Sequence, residues 1–229
     1  MFTGIVEELG VVKRLAVNGA SGQITIRARK VLEGTRTGDS IAVNGICLTV
    51  VDMGEDSFTA DVMAETFRRS SLGVCGPGSL VNLERAMAAD GRFGGHIVSG
   101  HIDGTGVIRE YKKESNAVWV RIAAEPEILR LVVEKGSVCI DGISLTVAAV
   151  SDTDFQVSVI PHTGEETTLL KKRAGDPVNL ENDLVGKYVE KLLGLGAGGR
   201  IPAGERLAAT RAPAEESRIT MDYLKEHGF

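Results

Sequence analysis

The chain has 229 residues, of which 43% are hydrophobic, so it can bury the core of one large domain or two small ones. Its net charge of -5 argues against a nucleic-acid partner, because neutralising phosphates requires a basic surface. Three scattered cysteines and four histidines without a ligand pattern argue against a disulfide framework and a metal site. No stretch approaches the roughly 20 apolar residues of a membrane span, and the N-terminus lacks signal-peptide features, so we expect a cytoplasmic protein.

Short alternating segments predict strands in both halves of the chain. Apolar and polar residues alternate in residues 23–27, in Ser40–Val43 and in residues 118–122. Asn44-Gly45 and Asp141-Gly142 are strong signals for tight turns between apolar runs. Many short strands with frequent turns are typical of a small barrel or sandwich.

One short helix is predicted in each half. In the second half, Pro126 suits a first helical turn, an apolar face follows, and Gly136 ends the segment. Residues 29–33, followed by Gly34, form a weaker counterpart in the first half.

The tail has a different pattern. After Asn182-Asp183, which can cap a helix, apolar residues recur at helical spacing, namely Val185, Tyr188, Val189 and Leu192. Gly194 ends this helix, and we expect its apolar stripe to pack on sister helices of an oligomer; docking on its own barrel is the alternative. Residues 194–216 have the composition of a flexible linker, and residues 217–227 are expected to form a last short helix.

An internal repeat organises the chain. Residues 38–84 align without a gap on residues 135–181, at an offset of 97, with 15 identities in 47 positions. At an offset of 96 the alignment extends to the N-terminus. Two copies are too few for a solenoid, so we predict two similar domains, residues 1–97 and 98–182, followed by the tail at 183–229.

Five motifs resemble the riboflavin synthase alpha chain. They are MFTGIV at 1–6, NGICLTV at 44–50, RFGGHIVSGHIDG at 92–104, DGISLTV at 141–147 and IPHT at 160–163. They stand in the order and at the spacing of that family, and the match covers about residues 1–193.

The resemblance implies a mostly β protein with two tandem six-stranded Greek-key barrels and a C-terminal helix that holds a homotrimer. It implies a ligand site in each barrel, and a productive site where the N-terminal barrel of one subunit faces the C-terminal barrel of its neighbour. No cofactor or metal is implied. Association with lumazine synthase is a further possibility that the sequence leaves open.

The implied reaction converts two molecules of 6,7-dimethyl-8-ribityllumazine into riboflavin and a ribitylamino-pyrimidine by moving a four-carbon unit. One lumazine loses a proton from its 7-methyl group, and the other accepts a nucleophile. Since one substrate is oxidised as the other is reduced, no hydride carrier is needed. The protein must hold two flat rings face to face and supply an acid/base group.

Four residues are catalytic candidates. His101 is the acid/base candidate, because imidazole titrates near neutral pH; a histidine satisfied in a turn is the alternative. Cys47 serves as a nucleophile or donor, or else is a buried inert thiol. Ser144 is expected to hydrogen-bond the heterocycle, and Asp141 either orients a neighbouring residue or the ligand, or only forms its turn.

The resemblance also implies substrate-binding residues, several of them on adjacent strands. In the first barrel they are Phe2, Thr3, Gly4, Ile5, Val6, Leu48, Thr49, Asp61, Val62, Met63, Ala64, Glu65 and Thr66. In the second barrel they are Gly100, Ile102, Lys135, Leu145, Thr146, Ile160, Pro161, His162 and Thr163. For Phe2 the alternative is a place in the barrel core.

Two other functions compete with the synthase. A non-catalytic lumazine or flavin carrier needs only one working site and tolerates decay of the second motif, yet both motifs stand intact here. A barrel that binds a partner protein explains neither the duplicated polar motifs nor their differences.

Overall fold

Two closed six-stranded antiparallel barrels make up most of the chain in this computed structural model, which describes residues 1–18 and 21–194. Both barrels belong to one compact unit, Met1–Tyr188. The first barrel contains β1 (Glu8–Asn18), β2 (Ser21–Arg27), β3 (Ser40–Val43), β4 (Ile46–Met53), β5 (Ser57–Met63) and β6 (Leu80–Arg85), in the order β1-β2-β5-β4-β3-β6.

The second barrel repeats this topology. It contains β7 (Gly104–Glu114), β8 (Ala117–Ala123), β9 (Ser137–Ile140), β10 (Ile143–Val150), β11 (Asp154–Val159) and β12 (Pro177–Asn182). Its ring order is β10-β11-β8-β7-β12-β9. Read in the opposite direction from β7, this ring is β7-β8-β11-β10-β9-β12, which is the order of the first barrel with every strand number raised by six. The predicted pair of six-stranded barrels is confirmed.

Bulges recur at matching positions and allow short strands to curve into closed rings. The register shifts between Val12 and Arg14 in β1 and between Ile108 and Glu110 in β7. A second pair of shifts interrupts β4 and β10 at equivalent places. A bulge bends its strand and increases the local twist, so the duplication preserved the curvature as well as the sequence pattern.

Each barrel has its own apolar core. Phe58 is the large aromatic residue inside the first barrel, and Phe155, its repeat counterpart, lies inside the second. A third, smaller cluster lies between the barrels, where Phe2 and Val98 exchange backbone hydrogen bonds of 2.8 and 3.1 Å. Phe2 is fully buried there, and it belongs to neither of the two barrel cores.

The two predicted tight turns meet between the barrels. Asn44, Gly45, Asp141 and Gly142 all have positive φ, as a type I′ hairpin turn requires. A Cβ atom on Gly45 would lie 2.7 Å from the backbone nitrogen of Gly142, so only glycine permits this approach.

Short helices differ in part from the prediction. The expected helices appear as a single 3-10 turn at Lys30–Leu32 and as α2 at Pro126–Leu129. Each half contains a further helix, α1 (Ala64–Arg69) and α3 (Pro161–Glu166). The sequence did not predict these two helices, in which the chain turns directly after β5 and β11.

The tail helix agrees with its predicted bounds. Helix α4 spans Leu184–Leu193 and begins with Asp183, whose carboxylate accepts a 2.9 Å hydrogen bond from the backbone N–H of Val185. Gly194 follows with φ of +67°. The linker and last helix predicted at 194–216 and 217–227 lie almost wholly outside the described residues. Within residues 1–18 and 21–194, no helix is long and apolar enough to cross a membrane.

Candidate functional site

A cavity of about 240 Å³ opens on the first barrel next to Cys47. Cys47 lies at the start of β4, directly after the tight turn, and α1 supplies Glu65 and Thr66. His101 completes the set of polar side chains that line the cavity, together with Arg69. The structure therefore brings together the predicted thiol and the predicted acid/base imidazole.

His101 reaches the first barrel although it follows the first repeat in sequence. The backbone N–H of Cys47 donates a 2.9 Å hydrogen bond to the carbonyl of Gly100. Gly100 has φ of +82°, and a Cβ atom there would lie 2.6 Å from the Cβ of Cys47. Only glycine allows residues 98–102, here called the second crossing segment, to lie this close to β4.

The N-terminus crosses in the opposite direction. The backbone N–H of Ser144 on β10 donates a 2.7 Å hydrogen bond to the carbonyl of Gly4, which has φ of +77°. Residues 2–6, here called the first crossing segment, thus reach the second barrel at Gly4. Val6 packs against the core of the second barrel, and Ile102 packs against the core of the first.

The predicted grouping of these residues by barrel was wrong. Gly4, Ile5 and Val6 were expected at the first-barrel site, and Gly100, His101 and Ile102 at the second-barrel site. The structure places Gly4 and Val6 against the second barrel and residues 100–102 against the first, whereas Ile5 lines a cavity with residues of the first barrel. The half-site on the first barrel therefore holds Cys47 with His101.

On the second barrel, Ser144 has a partner that the repeat did not reveal. Nδ1 of His96 lies 2.7 Å from Oγ of Ser144. The His96 side chain is buried, and this burial lowers its pKa below the usual value, although the charges of Asp183 and Glu181 act in the opposite direction. A buried, neutral imidazole beside a hydroxyl is suited to accepting a proton through that hydroxyl.

His96 was not among the predicted site residues. It lies beyond the residues 38–84 that align with the second copy, so it has no counterpart in the repeat that would have drawn attention to it. The only signal was its position in the RFGGHIVSGHIDG motif, five residues before His101.

Asp141 lies in a buried network between the barrels. Its Oδ1 accepts a 2.8 Å hydrogen bond from the backbone N–H of Asn179, and its Oδ2 pairs with Nζ of Lys172 at 2.6 Å. Burial raises its pKa, while the Lys172 ammonium acts to lower it. All of these contacts hold the tight turn, which favours the structural alternative for Asp141 over a catalytic role.

The network has a symmetric component. The side-chain amide of Asn82 donates a 2.8 Å hydrogen bond to the carbonyl of Asp141, and that of Asn179 donates one of the same length to the carbonyl of Asn44. Each barrel thus binds the tight turn of the other. The two barrels differ at one equivalent position of this network, because the first has the neutral Asn44 where the second has the acidic Asp141.

The remaining predicted binding residues are distributed over several places. Thr3 is buried, whereas Met63 and Ile160 are exposed apolar residues at equivalent positions just before α1 and α3. Leu48 and Leu145 pack towards the barrel interiors, and Lys135 lies exposed in a turn before β9. Residues exposed at the surface are Thr49, Asp61, Thr146, Pro161 and His162; Val62 and Ala64 are buried, and Thr163 is half-buried.

A larger cavity, of about 520 Å³, lies near Thr3, Ile5 and Arg85. Its lining includes none of the four predicted catalytic side chains, so its size alone does not mark the reactive site. Among the residues that the structure describes, no cluster of His, Cys, Asp and Glu could hold a metal ion.

Comparison with known proteins identifies the family. The lumazine binding domain matches twice, over residues 3–86 and 99–183. The chain is 51% identical over 231 residues to riboflavin synthase from Actinobacillus pleuropneumoniae, with 100% of both chains covered. The chain belongs to the riboflavin synthase family.

Other members of the riboflavin synthase family agree. Riboflavin synthase from Bacillus subtilis is 48% identical over 229 residues, again with both chains fully covered. Among solved structures, LumP complexed with 6,7-dimethyl-8-(1'-D-ribityl) lumazine has a TM-score of 0.72 and 24% identity, covering 80% of this chain and 99% of that chain. At this identity the likeness to LumP shows a shared fold.

Proposed function

We propose that this chain converts two molecules of 6,7-dimethyl-8-ribityllumazine into one riboflavin and one 5-amino-6-(ribitylamino)pyrimidinedione. The observation that carries the proposal is the pair of related but chemically unequal half-sites, Cys47 with His101 and Ser144 with His96. The reaction uses the same molecule in two roles, and a duplicated fold with different ionisable residues provides one binding surface for each role. The four-carbon unit lost by one lumazine is gained by the other, so atoms and electrons balance without a cofactor.

The second-barrel half-site holds the lumazine that gives up a proton. The neutral imidazole of His96 takes the proton of the Ser144 hydroxyl as that oxygen removes the proton from the 7-methyl group of the lumazine. Burial keeps His96 unprotonated near neutral pH, and its 2.7 Å contact with Ser144 provides the path.

The first-barrel half-site holds the lumazine that accepts a nucleophile. The Cys47 thiol adds to the ring of this lumazine while the His101 imidazole takes the thiol proton. Both side chains line one cavity with Thr66, whose hydroxyl is a donor for the ligand. The Glu65 carboxylate, whose pKa is lowered by hydrogen bonding to Arg68 and by the Arg69 charge, stays ionised beside them.

A homotrimer completes the reactive site in this proposal. The 240 Å³ cavity is smaller than the roughly 300 Å³ at the lower end of ligand sites, so a second wall is needed to enclose two rings. Met63 and Ile160, just before α1 and α3, are 71% and 54% exposed, and each supplies an apolar surface for a neighbour. The apolar stripe of α4 supplies the contact that holds the subunits together.

Three further predictions go with this function; the first two rest on the sequence itself, and the third on the family resemblance. They are the domain boundaries at 97/98 and 182/183, the cytoplasmic location and the association with lumazine synthase.

A turnover assay tests the proposal. The purified protein is mixed with 6,7-dimethyl-8-ribityllumazine alone, and riboflavin is followed by absorbance and fluorescence. We expect two lumazines to be consumed for each riboflavin formed, with no added cofactor. Tight binding without turnover would instead identify a lumazine carrier and overturn the proposal.

A further inference from the structure

We propose that Glu84 and Glu181 are positioning residues that each fix one crossing segment, so that each glutamate controls the half-site on the barrel to which it does not belong. Neither residue lines the cavity beside Cys47. Their influence on the two half-sites passes through backbone hydrogen bonds.

Glu84 lies on β6 of the first barrel and is almost fully buried. Its Oε1 accepts hydrogen bonds from the backbone N–H and the hydroxyl of Thr3, at 2.7 and 2.8 Å. Its Oε2 accepts a 3.0 Å hydrogen bond from the backbone N–H of Gly4. The carbonyl of Gly4 in turn accepts the 2.7 Å hydrogen bond from Ser144 on the second barrel.

Glu181 makes the same contacts from β12 of the second barrel. Its Oε1 accepts hydrogen bonds from the backbone N–H and the hydroxyl of Ser99, at 2.7 and 2.6 Å. Its Oε2 accepts a 3.0 Å hydrogen bond from the backbone N–H of Gly100. The carbonyl of Gly100 accepts the 2.9 Å hydrogen bond from Cys47 on the first barrel.

The chemistry explains why a carboxylate is needed at both positions. A buried acidic side chain is costly unless its oxygens are hydrogen-bonded, and each of these glutamates accepts three hydrogen bonds. All three donors belong to a segment that has left its own barrel. The two glutamates therefore hold these segments against the partner barrel, where Ser144 and Cys47 lie.

Glutamine at either position preserves the size of the side chain and removes one acceptor. Its NH2 group faces a backbone N–H, so the side chain can no longer accept hydrogen bonds from both successive residues of the crossing segment. In E84Q we expect the Ser144 amide to exchange its hydrogen about tenfold faster, while the Cys47 amide stays unchanged. In E181Q we expect the reverse pattern, together with a changed rate of Cys47 alkylation by iodoacetamide.

E8Q is a matched control. Glu8 also accepts backbone hydrogen bonds with both oxygens, from Arg29 at 2.7 Å and from Val31 at 3.0 Å, but these donors belong to the first barrel itself. We expect E8Q to leave both the Cys47 and the Ser144 amide unchanged. If E84Q or E181Q does not fold, T3V and S99A, which remove only the hydroxyl contact, carry the same crossed prediction.

Amide exchange is measured without substrate, so it separates this inference from the proposed function on which its catalytic meaning rests. If the wild-type protein fails to convert lumazine, the proposed function is overturned. The positioning role is still tested in that case, because the exchange of the Ser144 and Cys47 amides does not depend on turnover. Effects on the glutamate's own barrel, equal effects on both amides, or no effect on either would overturn the positioning role.

Discussion

Nδ1 of His96 lies 2.7 Å from Oγ of Ser144, whereas Cys47, the repeat counterpart of Ser144, shares its cavity with His101 instead. The two histidines occupy different places relative to the equivalent residues, because His96 comes from the connection between the repeats and His101 from the second crossing segment. The duplicated scaffold therefore carries two non-equivalent acid/base arrangements.

The first prediction concerns the protonation of His96. Burial lowers its pKa below the usual value of 6.5, so the neutral form prevails at pH 7 and is lost as the pH falls through the lowered pKa. If this imidazole is the base, the pH profile of kcat has an acid limb below pH 6.5. We expect H96Q to lower kcat by roughly 10²–10⁴-fold and to remove that limb. An H96Q enzyme with an unchanged kcat and acid limb would assign proton removal to another group.

The second prediction concerns the approach of Gly100 to Cys47. In G100A the positive φ costs about 1 kcal/mol, and the new Cβ, 2.6 Å from that of Cys47, adds a further cost of about 1–3 kcal/mol. Urea unfolding measures the total. G34A is the matched control, since Gly34 has φ of +78° with no atom within 4 Å of an added Cβ. Equal destabilisation by the two substitutions would show that the crossing segment moves away from Cys47 without a loss of unfolding free energy.

The third prediction concerns the buried pair of Asp141 and Lys172. Asn44 and Cys75 occupy the equivalent positions in the first barrel, so the fold tolerates a neutral pair there. We expect D141N to lower the free energy of unfolding by about 3 kcal/mol, because it leaves the Lys172 ammonium without its counter-charge. The double variant D141N/K172M should recover most of the loss. If it is as unstable as D141N, the ion pair is not the source of the destabilisation.

The fourth prediction concerns helix α4. Leu192 is 83% exposed and, in the proposed trimer, packs on sister helices. Burial of a leucine contributes about 1.5–3 kcal/mol, so we expect L192D to dissociate the oligomer, as measured by sedimentation equilibrium. K191D places the same side chain one position earlier and should leave the oligomer intact. An L192D protein of unchanged mass would show that the stripe has another partner.

Much of the fold could be predicted from the sequence. The repeat identified two copies of one barrel, and the Asn44-Gly45 turn was recognisable because few residues adopt positive φ readily. The helix at Leu184–Leu193 was predictable because its apolar spacing is clear over two turns and Asp183 caps it. Helices α1 and α3 were missed because six residues are too few to show a helical period.

The arrangement of the candidate site was harder to predict. The sequence around Gly4 does not depend on which barrel Gly4 contacts. The repeat therefore could not show that each crossing segment contacts the other barrel. The contact of His96 with Ser144 spans 48 residues and depends on that crossing. Candidate residue types were therefore available from the sequence, while their partners required the tertiary structure.

Subunit complementation tests most directly the central claim that each reactive site combines the first barrel of one subunit with the second barrel of another. H101Q impairs the first half-site and H96Q impairs the second, and the two proteins are unfolded together and refolded as an equal mixture. We expect the mixture to recover about a quarter of the wild-type rate, because about three-quarters of random cyclic trimers are mixed and each has one intact interface in three. Activity no higher than that of the separate variants, in a mixture shown by mass spectrometry to contain mixed oligomers, would contradict the claim.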